Sequence, residues 1–131
     1  FIRADALHDD PLHSYLIAIK LFAEMIEKEP TFSQGFLVNA YTFQDQFHIK
    51  DIRETSLGLL KRNRGGIIAR LKRIAKRYPP KDDIEVESLA EMTLSIVEGG
   101  MIISALLGDT TYLPRQLVIY RELICHAFSQ A

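Results

Sequence analysis

The chain has 131 residues, 47% of them hydrophobic and 25% charged, with a formal net charge of −1 and one cysteine. That composition describes one globular domain and excludes a disordered chain, an internal disulfide framework and a global electrostatic pull toward nucleic acid or membrane. The lone Cys125 suits a reducing, cytoplasmic setting, and no run of about 18 uncharged apolar residues occurs, so no membrane-spanning helix is expected.

Residues 1–10 read as the remnant of a connecting helix. The chain starts at Phe1 without a signal-peptide layout and is expected to be part of something longer. Asp10 followed by Pro11 has the pattern of an N-cap with proline in the first helical position. Leu12, Tyr15, Leu16, Ile19, Phe22, Ala23 and Ile26 then recur at helical spacing until Glu29-Pro30 stops the helix. Thr31 or Ser33 caps a second segment, in which Phe36, Ala40, Phe43 and Phe47 put three aromatic rings on one face. A third runs from about Ile52 to Arg77, with Leu57, Leu60, Ile67, Ile68, Leu71, Ile74 and Ala75 on its inner side. Gly65-Gly66 is expected to weaken or bend it. Pro79-Pro80 ends that helix. Asp82 and Glu85 have capping-box spacing ahead of a long helix that ends at Gly108. Thr110 or Thr111 caps the last helix, whose apolar positions are Leu113, Leu117, Tyr120, Ile124, Ala127 and Phe128. No segment alternates with period two, so the predicted fold is all-α.

The long helix is apolar on more than one side. From Ser88 to Leu107 the polar residues Ser88, Glu91, Ser95 and Glu98 form a single narrow strip. A surface helix in a monomer needs only one apolar stripe, and Gly99, Gly100, Ser104 and Gly108 would let another helix approach. The segments Asp83–Leu107 and Thr111–Phe128 are therefore read as pairing with their symmetry mates in a four-helix bundle, which makes the protein a homodimer. The expected interface residues are Val97, Gly100, Met101, Ser104, Leu117, Tyr120 and Ile124.

Reactive chemistry is sparse. His8, Asp9, Asp10 and His13 match no metal-ligand pattern, and neither do Asp45, His48 and Asp51, so no metal or other cofactor is read. The Gly-x-Ser-x-Gly elbow, the phosphate-cradling glycine loop and the His-Glu-x-x-His helix are all missing. Cys125 and His126 are neighbours on a helix and point about 100° apart. No enzyme is expected. The basic run Lys61, Arg62, Arg64, Arg70, Lys72, Arg73, Lys76 and Arg77 reads as the outer face of an amphipathic helix, although such a run can also track phosphates. Arg64 lies near the inner stripe, either as an anchor in a pocket or as a snorkelling surface arginine.

Phe22, Phe36, Tyr41, Phe43, Phe47 and Met92 fall on three segments expected to pack together. They either fill a core or line a mainly apolar ligand pocket, with Asn39, His48 or Arg64 as polar anchors. Glu98 is open to three placements: solvent, a partner subunit or the cavity.

The order of segments resembles one family. Thr31–Gln46, TFSQGFLVNAYTFQDQ, is similar to the start of the sixth helix of TetR-type transcriptional regulators. Gly35-Phe36-Leu37-Val38 stands where that family commonly has Gly and a Cys-Leu-Leu-like triplet. Glu87–Asp109 resembles the eighth helix, which often carries a Val-Glu-Gly motif, here Val97-Glu98-Gly99. Thr111–Ile124 resembles the ninth. The likeness runs from about Pro11 to the C-terminus and implies a ligand-binding and dimerisation domain over 11–131, with a cavity among the family's fifth to eighth helices. It also implies a small apolar or amphipathic ligand whose binding releases DNA from an N-terminal helix-turn-helix domain; nothing in this chain corresponds to that domain. The alternative is a helical dimerisation or interaction module with no ligand pocket.

Overall fold

A computed structural model of the protein describes residues 9–29, 49–81 and 83–128. Four helices make up these segments: α1 (Pro11–Lys28), α2 (Lys50–Arg77), α3 (Val86–Leu107) and α4 (Tyr112–Phe128). The described residues include no strand, in agreement with the all-α expectation. Phe36, Asn39, Tyr41, Phe43, Phe47 and His48 lie outside the described residues, as do 1–8.

The start of α1 is set locally. The Asp10 carboxylate accepts hydrogen bonds from the backbone N–H groups of Leu12, at 2.9 Å, and His13, at 3.1 Å, which satisfies donors that a helix start leaves without partners. Its second oxygen takes the Tyr78 hydroxyl and lies 3.3 Å from Arg77 Nη1. One buried acid thus caps α1 and ties it to the end of α2.

α2 runs through Gly65-Gly66 without interruption and begins at Lys50. Its inner side is shorter than expected. Ile67, Leu71 and Ile74 are buried, whereas Leu57 and Leu60 are exposed. Helical spacing defines a stripe along the whole length, but the stripe is buried only where another element runs beside it.

α3 starts at Val86, with Glu85 itself at the cap position and making no side-chain cap bond. The expected box, with Glu85 in the third helical position, is therefore not formed; Asp82 lies outside the described residues. At the other end Gly108 adopts a left-handed backbone, φ 66°, which costs glycine no Cβ strain. Thr111 precedes α4, but its hydroxyl donates to Asp109 Oδ1 at 2.7 Å rather than capping the helix.

The helices neighbour one another in the cyclic order α1–α4–α3–α2. Between them Tyr15, Leu71, Ile74, Leu113, Ile124 and Phe128 are fully buried. The backbone N–H of Lys81 donates to the Ala127 carbonyl at 2.8 Å, which fastens the α2–α3 connection to the end of α4.

The inner face of α3 and α4 is the one expected to meet a partner. Gly100, Met101, Ser104, Leu117, Tyr120 and Ile124 are buried within the chain itself, and Val97 is half-buried. This corrects the face assignment. The outward apolar residues are Ile103, Leu106 and Leu107 on α3 and Val118, Ile119 and Leu123 on α4, with Leu106 71% and Ile119 61% exposed. Among the described residues one helix, α3, is long and apolar enough to cross a membrane by length and composition alone. The expectation of no such helix rested on an uninterrupted apolar run, which Glu91 and Glu98 break here.

Candidate functional site: a cavity between α1, α2 and α3

A cavity of about 620 Å³ opens between the first three helices, with Leu117 of α4 at its base. This lies within the roughly 300–1,000 Å³ range of small-molecule sites. α1 contributes Tyr15, Ala18, Ile19 and Phe22; α2 contributes Arg62, Asn63, Gly66, Ile67 and Arg70; α3 contributes Thr93, Leu94, Val97 and Glu98. These sets follow from helical geometry, because residues three and four apart share a face.

That geometry explains where the expected site residues fall. Phe22 lines the cavity. Arg64 does not: it sits off the 62–66–70 stripe, where its Nη2 lies 2.5 Å from Glu91 Oε1 and its Nε donates to the same oxygen at 2.6 Å. Met92 is 41% exposed and is not part of the lining, whereas Thr93 and Leu94 beside it are. Glu98 lies at the cavity edge and is exposed to solvent there.

The floor holds a polar network. The Thr93 hydroxyl lies 3.0 Å from the Tyr15 Oη and 2.5 Å from the Tyr120 Oη, and the two phenols are 3.2 Å apart. Tyr120 donates to the Leu89 carbonyl at 3.2 Å. With that proton committed, the Tyr120 oxygen is left to accept within the cluster. Burial pushes both phenols above the ordinary tyrosine range, which keeps them neutral donors. Nearby, Arg70 Nη2 donates to the Ser14 Oγ at 3.2 Å. Burial also raises the Glu98 carboxyl above its usual range. Neither Arg62 nor Glu98 has an ion-pair partner among the described residues.

Tyr15 and Tyr120 were legible as apolar positions; the missed signal was that a tyrosine on a buried stripe brings a hydroxyl that needs a partner. Arg62 and Arg70 were hidden in a run read as an outer face. Much of that run is engaged: besides Arg64 with Glu91, Lys72 Nζ lies 3.1 Å from Glu87 Oε1, and Arg77 meets Asp10. Among the described residues no three His, Cys, Asp or Glu side chains gather where they could hold a metal ion. No family model, curated protein or solved structure matches the chain.

Proposed function

We propose that this chain is the small-molecule-sensing and dimerisation domain of a TetR-type transcriptional repressor. The observation that carries the reading is the cavity of about 620 Å³, apolar over most of its wall and set with a few placed polar groups. The exposed apolar residues of α3 and α4 support a second copy as partner, since large exposed apolar patches mark association surfaces. The succession of segments described above supports the family.

In this reading α3 couples the two roles. Thr93, Val97 and Glu98 face the ligand, while Ile103, Leu106 and Leu107 face the partner. A ligand that fits one setting of α3 better than another shifts the population toward it, by no more than its difference in affinity. In the whole repressor that shift changes the spacing of two helix-turn-helix domains and releases DNA. The domain itself works in the cytoplasm and has no catalytic role. The exposed apolar face alone also fits a dimerisation module without a ligand.

Gly66 separates the two. It lines the cavity, and a Cβ there would meet nothing within 4 Å, so Gly66→Phe fills the space without disturbing the fold. A metabolite present at a hundredfold excess over its Kd should stabilise the protein by about 2.7 kcal/mol, and G66F should abolish that stabilisation. If no compound in a broad metabolite set moves the melting temperature while the dimer persists, the module reading replaces this one.

A further inference from the structure

We propose that the cavity selects an amphipathic organic anion, with a singly charged headgroup held between Arg62 and Arg70 and an apolar tail lying against Ile19, Phe22 and Val97. The proposal rests on the sensor reading and names its ligand class.

The α2 wall carries the argument. Arg62, Gly66 and Arg70 follow one another at four-residue intervals and all line the cavity. Eight residues of helix span about 12 Å, so the two guanidinium side chains flank a gap into which both can reach. The gap is open, because the glycine midway presents no side chain and a Cβ there would meet nothing within 4 Å. Asn63 adds an amide on the same wall.

Charge decides the sign of the ligand. Two guanidinium groups and one carboxyl, Glu98, line the cavity. One carboxylate against two guanidinium groups leaves the lining with a net positive charge. Arg70 is positioned by Ser14, and Arg62 has no ion-pair partner among the described residues. A guanidinium stays charged at any working pH and binds carboxylate in a planar, two-point geometry. An ammonium ligand would meet two like charges. The remaining lining, from α1 and α3, is mostly aliphatic and aromatic, which suits an apolar tail.

Three probes with the same ten-carbon chain test this: decanoate, decanol and decyltrimethylammonium, each titrated calorimetrically into the whole chain below its micelle concentration. Decanoate should bind at least tenfold more tightly than decanol, and the ammonium probe should not bind measurably. Arg62→Gln should weaken decanoate about tenfold and leave decanol unchanged. Arg62 is exposed, so this variant should fold normally, whereas R70Q also removes the bond to Ser14. Equal binding of decanoate and decanol, or preference for the ammonium probe, overturns the anion proposal and leaves the sensor reading standing. If none of the three binds the wild type, the anion proposal falls, and the sensor reading falls with it only if the broad metabolite set also leaves the melting temperature unmoved.

Discussion

Gly100 of α3 lies so close to Leu113 of α4 that a Cβ on the glycine would stand 2.6 Å from the leucine Cδ1. Leu113 is fully buried. The glycine is therefore a contact point between two helices of the same protomer, where the sequence suggested a contact between subunits. Gly99, its neighbour, has nothing within 4 Å of such a Cβ. The pair should separate in urea unfolding at fixed protein concentration. Gly99→Ala should gain up to about 1 kcal/mol from helix propensity. Gly100→Ala should lose about 1 kcal/mol net, because overpacking costs roughly 1–3 kcal/mol against the same gain. Equal effects at the two sites would contradict the close approach.

The outward residues make the dimer testable without damaging the core. Leu106→Glu combined with Ile119→Glu alters two of the most exposed apolar side chains. Sedimentation should show a dimer for the wild type at micromolar concentration and a monomer for the double variant, with unchanged helical circular dichroism. A charge at Tyr120 or Ile124, by contrast, should unfold the chain, since both are buried in the protomer. A wild type that sediments as a monomer would remove the interface.

Asp10 should make stability depend on acid. Burial pushes its carboxyl up, but the bonds from Tyr78 and from the His13 and Leu12 N–H groups, with the charge of Arg77, outweigh this and lower it from 3.8 to about 2. A folded-state value below the unfolded one means the stabilisation is complete above about pH 3.8 and disappears as the pH falls through about 2. The linkage corresponds to roughly 2 kcal/mol. Asp10→Ala should therefore be destabilised at pH 7 by about 2–3 kcal/mol, cap loss included, and the gap to wild type should narrow toward pH 2. A gap that stays constant with pH would show that the carboxylate charge contributes nothing.

The hydroxyl network at the cavity floor should cost more to break than a surface bond. Tyr120→Phe removes the donor to the Leu89 carbonyl and the acceptor for Thr93. A loss of about 1–3 kcal/mol is expected for buried polar groups left unsatisfied. Thr93→Val in the same background should then cost less than it does in the wild type, because the two side chains share one network. Strict additivity in a double-mutant cycle would rule out the coupling.

What the sequence determined was local. Asp10-Pro11 set the start of α1, Pro79-Pro80 the end of α2 and Gly108 the end of α3, because caps and breakers act within a few residues of themselves. Ile67, Leu71, Leu117, Tyr120 and Ile124 were readable as apolar stripe positions for the same reason: a periodicity of 3.6 needs no knowledge of neighbours. The tertiary structure decided which of two apolar faces turned inward. α3 has both, and its packing against α2 and α4, with Gly100 close against Leu113, puts Met101 and Ser104 inside and leaves Leu106 outside. It likewise chose among the arginines of α2. Arg64 is drawn to Glu91 across the surface, while Arg62 and Arg70 share the face of Gly66 and open onto the cavity. A periodic pattern orients side chains around their own helix axis; which of those directions meets a neighbour, a void or water depends on where the other helices stand.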